Sequence, residues 1–395
     1  MREKKIILPE AVSFILRRFK ENGYRADIVG GPVRDFILGK SADDYDVTTN
    51  ALPEDTKRLF KDKRVLETGI KHGTLTVLID GVGYEVTTYR IDGEYKDNRH
   101  PERVEFTSRL KDDLARRDFT MNAICYNPED GFTDLFRGEE DIRRRLIRAV
   151  GDPEKRFTED ALRILRAIRF SSTLGFDVEE ATRRGVFAKK DLLCKVSEER
   201  IYTEWKKLLS GDSALSVFDE YREVIAEFLP EIKDSPLPDK DAFLRADYMA
   251  RLLSLFALSG KSGEDFYLAA RRLKTDSATA EDGRSALDAL GKYDLSDSHG
   301  IGRLLYRLGE GVARLTAAVT QILKGNESDP VGRVEDYLKS GKAYKLSDLA
   351  VGGGDLIRAG LSGREIGQTL DALMLKVIDG ECENEREALL KLLCR

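Results

Sequence analysis

One short stretch constrains this chain more than any other. Residues 28–34 read Ile-Val-Gly-Gly-Pro-Val-Arg, and after Gly39 residues 44–49 read Asp-Tyr-Asp-Val-Thr-Thr. Ile28 and Val29 have the character of a buried strand end. Gly30 and Gly31 allow a sharp turn and the close approach of an anion to main-chain N–H groups. Pro32 through Leu38 predicts a short helix with proline in its first turn and Gly39 at its end. Tyr45, Val47 and Thr48 favour a strand, so Asp44 and Asp46 are expected to share one strand face. Two carboxylates so placed, beside a glycine turn, suit a divalent metal held against a triphosphate. Either half alone is common on protein surfaces.

The chain is long enough for two to four compact units, at 395 residues. It is 41% hydrophobic and 35% charged, with 66 basic against 71 acidic side chains and a net charge of −5. That balance excludes a generic nucleic-acid coat protein but not a local basic face. No stretch approaches a membrane span, and Met-Arg-Glu-Lys-Lys precedes no signal-like apolar core. Cys125, Cys194, Cys382 and Cys394 show neither zinc nor disulfide spacing, which points to a reducing cytoplasm. His72, His100 and His299 lie far apart and offer no histidine-built metal site.

Around the opening stretch, residues 8–22 predict an amphipathic helix closed by Gly23, and residues 53–61 another that starts at Pro53. Thr74–Ile79 and Tyr84–Arg90 predict paired strands with a turn at Asp80–Gly83. Glu85 is a candidate third carboxylate beside the aspartate pair, or an ordinary surface glutamate. Residues 91–105 are polar and aperiodic, as in a surface loop. Residues 112–124 (Asp-Asp-Leu-Ala-Arg-Arg-Asp-Phe-Thr-Met-Asn-Ala-Ile) are expected to bring Arg116 and Arg117 to a helix start and Asp118 and Asn122 to one helix face. From about residue 139 strands are expected to stop. Arg143, Arg144, Arg145 and Arg148 form a basic cluster that suits RNA phosphates or a solvated helix face.

Residues 158–170 predict a helix with Thr158 as N-cap and Leu162, Leu165, Ile168 and Phe170 buried. Asp160, Arg163, Arg166 and Arg169 recur every third position, each step falling about 60° short of a turn, so the row winds round the helix. Asp160 and Arg163 alone can meet one ligand group. A carboxylate only accepts hydrogen bonds and a guanidinium only donates them. The pairing edges of cytosine and adenine present an amino donor beside a ring-nitrogen acceptor, and uracil and guanine present the inverse. An Asp–Arg pair therefore suits C and A, and a site built on hydrogen bonds can discriminate by factors on the order of 10⁴.

Taken together, the stretches at 28–49, 112–124 and 158–170 resemble the motifs of the class II tRNA nucleotidyltransferases, which include CCA-adding enzymes and bacterial poly(A) polymerases. The resemblance is specific over residues 28–170 and loosens beyond 210. It implies an α+β chain: a nucleotidyltransferase head with a mixed sheet over 1–140, then an all-α neck over 141–210, body over 211–340 and tail over 341–395. It implies Asp44 and Asp46 as catalytic residues and Mg²⁺ ligands. Gly31, Arg34, Arg117, Asp160, Arg163, Arg166 and Arg169 are implied as nucleotide-binding residues, with Arg117 on the triphosphate side. Asp92, Tyr95, Asp97, Arg99 and Pro101 match the loop carried by members that add A. The motif at 151–157 matches the junction of head and neck, and Ser197–Leu209 matches the last neck motif, an N-capped helix with a structural job. The tail, with Leu361-Ser-Gly-Arg-Glu-Ile-Gly367 where the family carries a Pro-Gly-Pro run, is similar to the part that grips the tRNA elbow. The expected activity is addition of C, C and A to the tRNA 3′ end from CTP and ATP. The alternatives are an A-adding enzyme, a poly(A) polymerase, or an inactive RNA-binding adaptor on the same fold.

Overall fold

The computed structural model describes residues 6–42, 44–93, 104–325 and 328–394. The chain forms two compact units, residues 1–217 and 218–395.

In the first unit the order is α1 (Glu10–Glu21), β1 (Ala26–Val29), α2 (Gly31–Ile37), β2 (Asp46–Thr49), α3 (Pro53–Leu59), β3 (Arg64–Leu66), β4 (Thr74–Ile79), β5 (Val82–Thr88), β6 (Arg90–Asp92), β7 (Val104–Phe106), α4 (Leu110–Ala115), β8 (Ile124–Asn127), β9 (Gly131–Asp134) and α5 (Gly138–Arg143). There follow β10 (Leu146–Ile147), α6 (Pro153–Glu159), α7 (Leu162–Leu174), β11 (Asp177–Val178), α8 (Glu180–Lys189) and α9 (Glu198–Leu209). Seven strands form one sheet in the order β3-β4-β5-β2-β1-β8-β9. Only β2 and β5 run parallel; the other neighbours are antiparallel. β1 is buried along its whole length, and α1 seals the sheet with Val12, Ile15, Leu16 and Phe19.

The expected mixed sheet and helices α1, α2 and α3 are present. Several local expectations need correction. β2 begins at Asp46, so Asp44 precedes the strand instead of lying on it. The β4–β5 turn is only Asp80-Gly81, with φ of 51° and 82°, because a two-residue hairpin takes left-handed residues at both positions. A short parallel pair, β10 with β11, survives beyond residue 139. The expected helix at 112–124 stops at Ala115. Beyond it, Thr120 N donates to Arg148 O at 2.9 Å and Val150 N to Asp118 O at 3.1 Å, so this backbone pairs across to 148–150 and buries Phe119. Asp118 and Asn122 therefore do not share a helix face.

The helix expected from 158 to 170 is also broken. Thr158 lies inside α6, capped by Asp152, and its hydroxyl donates to Glu154 O. Asp160 sits in the break with φ −138° and ψ 104°. Its carboxylate accepts the Leu162 N–H at 3.1 Å, supplying a partner at the start of α7 and favouring a new helix over continuation of the old one.

The second unit is helical: α10 (Ala214–Glu220), α11 (Arg222–Ile225), α12 (Lys240–Arg245), α13 (Tyr248–Leu258), α14 (Gly263–Arg272), α15 (Ser277–Ala289), α16 (Ser298–Lys324), α17 (Pro330–Lys339), α18 (Gly353–Arg358), α19 (Arg364–Ile378) and α20 (Arg386–Lys391), with α10 spanning the division between units. One apolar cluster joins Leu304, Leu305, Ala313 and Ala317 of α16 to Val334 and Tyr337 of α17. Another joins Leu349 and Val351 to Leu373, Met374 and Ile378 of α19. Among the described residues no helix is long and apolar enough to cross a membrane.

Candidate active site

The sheet register builds the site. Val29, the last residue of β1, lies opposite Asp46, the first of β2, so the Gly30 turn leaves the sheet beside that carboxylate. Gly30 has φ +83°, a left-handed backbone that favours glycine, and a Cβ there would stand 3.3 Å from Arg117 Nη1 and crowd it. On the other side of β2, Val47 pairs with Val86, which brings Glu85 alongside Asp46.

Solvent reaches the Asp46 side chain, yet the protein packed around it strips away much of its hydration. That desolvation raises its pKa above the ordinary carboxylate value; Arg117 opposes the rise and Asp44 adds to it. Glu85 is raised as well, by desolvation first and then by Asp46 and Asp44. The three acids thus share one field.

Among the described residues no three such side chains form a ready-made metal cage. Two clustered carboxylates still fit Mg²⁺ by donor chemistry, because that ion takes one or two carboxylates and completes its shell with water and substrate phosphates. The negative field at Asp46 and Glu85 is what a divalent cation would relieve.

Arg117 approaches from the segment after α4. Asp113, fully buried, accepts from Thr48 Oγ1 at 3.0 Å, Arg116 Nη2 at 2.7 Å and Arg117 Nη2 at 3.4 Å. Burial alone would raise this carboxyl, and the two guanidiniums outweigh it and hold it below the usual range. Arg117 Nε is buried without a hydrogen-bond partner among the described residues, a donor left for an acceptor from outside the chain.

Gly31 heads α2, and Arg34, one turn on, is buried. Arg34 Nη1 donates to Asn122 Oδ1 at 2.9 Å, and Asn122 Nδ2 donates to Asp118 Oδ1 at 3.1 Å. Asp118 accepts from Arg166, and Glu204 of α9 accepts from Arg169 at 2.9 Å. The guanidiniums of Arg34, Arg166 and Arg169 surround the Phe170 ring at 5.1, 5.4 and 3.5 Å from its centroid. The tertiary fold thus brings Arg34 together with arginines that lie more than a hundred residues further along.

Asp160 and Arg163 are held separately. Arg163 Nη1 donates to Glu159 Oε2 at 3.0 Å and Arg156 O at 3.2 Å, and its Nη2 donates to Arg116 O at 2.8 Å. Those bonds occupy three of the five guanidinium donors and leave two. Asp160 pairs with Arg200 of α9 at 3.0 Å. A cavity of about 790 Å³ is lined by Arg116, Arg156 and Glu159, which bond Arg163, with Ile91 and Gly93. It does not reach the aspartate pair.

Sequence reasoning missed Phe170, Arg200 and Glu204 as parts of this site. A signal existed for the last two: they are four apart on α9, hence on one face, each directly preceding a buried residue, Ile201 or Trp205. Of the loop matched at 92–101, Tyr95, Asp97, Arg99 and Pro101 lie outside the described residues. The basic cluster at 143–148 is largely paired within the chain: Arg143 with Glu139, Arg144 with Glu140, and Arg148 with Asp141 and Glu179.

Residues 26–148 match the family described as "Poly A polymerase head domain", residues 175–235 one described as "Probable RNA and SrmB- binding site of polymerase A", and residues 250–393 a tRNA nucleotidyltransferase domain 2. The chain is 37% identical over 383 residues to the CCA-adding enzyme of Geobacillus kaustophilus, covering 94% of this chain and 93% of that one. It is 35% identical over 387 residues to the CCA-adding enzyme of Leuconostoc mesenteroides, covering 95% and 94%. The chain belongs to the CCA-adding enzyme family. The solved structure of the Bacillus stearothermophilus CCA-adding enzyme in complex with CTP superimposes with a TM-score of 0.81 at 32% identity, over 98% of this chain and 96% of that one. The CCA-adding enzyme of Thermotoga maritima, at 24% identity and TM-score 0.72, shares the fold over 98% of this chain and 96% of its own. Membership makes the chain a nucleotidyltransferase of the tRNA-processing kind, on an α+β scaffold with a mixed-sheet head.

Proposed function

We propose that this chain adds C, C and A in turn to the 3′ end of tRNA, using CTP and ATP and releasing pyrophosphate, with no nucleic-acid template. Kinship to CCA-adding enzymes along nearly the whole chain supports the reaction. The single observation that carries the site is the pairing of Val29 with Asp46, which sets a glycine turn, a carboxylate and the open donor of Arg117 side by side.

Asp44 and Asp46 would hold Mg²⁺. That ion, when bound, lowers the pKa of the attacking hydroxyl and neutralises charge on the leaving oxygen. Arg117 offers its spare Nε–H to the triphosphate, and the backbone at Gly31 with Arg34 lines the nucleotide's approach. Asp160 offers an acceptor and Arg163 two unused donors, the set that complements the amino group and ring nitrogen of C or A. Arg166 and Arg169 act at one remove, through Asp118, Glu204 and the Phe170 ring. In this assignment residues 1–140 are the catalytic head, 141–210 the neck that reads the base, and 211–340 and 341–395 the body and the tail toward the tRNA elbow. The thiols of Cys125, Cys194 and Cys382 are free, in keeping with work in the cytoplasm.

The match to the poly(A) polymerase head favours one second reading, synthesis of A tails. Pure protein incubated with tRNA ending before the first C, and with tRNA ending in CC, separates the two. Addition of C, C and A and then arrest supports CCA addition. A single A on the CC-ended tRNA alone points to an A-adding enzyme, and long A tails to a polymerase. No pyrophosphate release with any nucleotide leaves an RNA-binding adaptor.

A further inference from the structure

The carboxylate of Asp160 is nearly full before any base arrives. Its two oxygens offer about four acceptor positions. Oδ1 takes the Leu162 N–H at 3.1 Å and Arg200 Nη2 at 3.3 Å, and Oδ2 takes Arg200 Nη2 at 3.0 Å. One acceptor position is left, on Oδ2.

Arg200 is an unusual partner for a scaffold bond. α9 docks through Ile201, Trp205, Leu208 and Leu209, all buried and apolar. The Arg200 side chain is 25% exposed, and among the described residues its hydrogen bonds go to Asp160 alone. Its other terminal nitrogen, Nη1, is buried with no partner. Arg163, by contrast, spreads three bonds over two carbonyls and one acid. Arg200 spends its hydrogen bonding on one carboxylate.

We propose that Arg200 is a specificity-determining positioning residue: it fixes the Asp160 carboxylate so that a single acceptor faces the incoming base. The proposal rests on the assignment of Asp160 as a base reader. Asp160 lies in extended backbone between two helices, and the terminal torsion of an aspartate is broad and roughly two-fold. Without Arg200 only the Leu162 N–H would hold the group. The carboxylate would then turn and present three acceptor positions instead of one. Uracil and guanine both offer ring N–H donors, so a loose carboxylate with spare acceptors pairs with the wrong edges. Arg200 works by occupying acceptors as much as by aiming the one that remains.

The test uses the full chain, tRNA lacking its terminal nucleotides, and CTP, ATP, UTP and GTP offered singly, with kcat and KM measured for each. Arg200→Met keeps the apolar stem against α9's neighbours while removing every donor. It should narrow the preference for C over U and for A over G by about tenfold or more, the scale of a lost charged hydrogen bond, chiefly through KM. Arg200→Lys, which restores one charged donor, should recover part of that preference. A merely structural arginine predicts the opposite: equal losses for all four nucleotides, an unchanged preference and no rescue by lysine, and that outcome overturns the proposal. Should Arg200→Met fail to fold, judged by circular dichroism, Arg200→Leu, which also carries no donor, takes its place with the same expectation. Asp160→Ala, run in parallel, keeps the two ideas apart. If Asp160→Ala leaves selectivity sharp, base reading by Asp160 falls and the Arg200 proposal with it. If Asp160→Ala blurs selectivity and the Arg200 variants do not, only the Arg200 proposal falls.

Discussion

Arg166 Nε donates to Asp118 Oδ2 at 2.8 Å, joining helix α7 to a segment 48 residues earlier that leads into strand β8. Through Asn122 the same carboxylate reaches Arg34 on α2. Helix α7 and helix α2 beside the sheet are thereby tied by one buried acid.

That acid sets an acid-stability window. Burial would raise the Asp118 pKa, but Arg166 and the Asn122 amide outweigh it and hold it at about 2, below the ordinary 3.8. A depressed carboxylate contributes stability that is fully present above the unfolded value and is lost as pH falls through the folded one. Asp118→Asn should therefore cost on the order of 2 kcal/mol at neutral pH, and the deficit should shrink between about pH 4 and pH 2. Urea unfolding of both proteins across that range measures it. A deficit that stays constant with pH would remove the ion pair as its cause.

Asp46 carries the opposite sign. Its pKa is raised, so the fold disfavours its charged form, and neutralising it should relieve a cost that exists only above that pKa. Asp46→Asn is expected to melt at or above the wild-type temperature at pH 7 in chelator, with the gap closing toward acid pH, and to incorporate no nucleotide. A clear loss of melting temperature at pH 7 would contradict the desolvated-carboxylate account.

Asp44→Ala and Asp46→Ala should each abolish incorporation of every nucleotide while tRNA binding, followed by filter retention, stays close to wild type. Either variant retaining turnover with Mg²⁺ would sink the metal assignment.

Removal of residues 92–101 should impair addition of A more than addition of C, because the stretch resembles the loop carried by members that add A. Primer extension with CTP alone and then with ATP reads the two steps separately. Equal losses would leave the loop a structural role only.

Helix α16 kinks at Gly309, with φ 79° and ψ 172°, a region open to glycine and few others. A Cβ there would meet no atom within 4 Å, so Gly309→Ala isolates the backbone cost. It should destabilise the unit spanning 218–395 by about 1–3 kcal/mol, visible as a lower melting transition. An unchanged transition would mean the kink straightens without penalty.

Much of the site is legible as local chemistry. The glycine turn, the α2 helix with Pro32 in its first turn and the nearness of Asp44 to Asp46 depend on residues close in sequence, where spacing and φ preferences suffice. Helical periodicity failed at Asp160 and Asp118 because each carboxylate accepts a nearby backbone N–H, Leu162 in one case and Phe119 in the other, and neither residue lies within an α-helix. Which acid meets which arginine was decided only by tertiary structure. Asp160 is bound by Arg200, forty residues on, and Arg163 by Glu159, although a continuous helix would have set Asp160 against Arg163. A charge finds its partner by distance in space and by what burial leaves unpaired, and sequence spacing encodes neither once the chain turns back on itself.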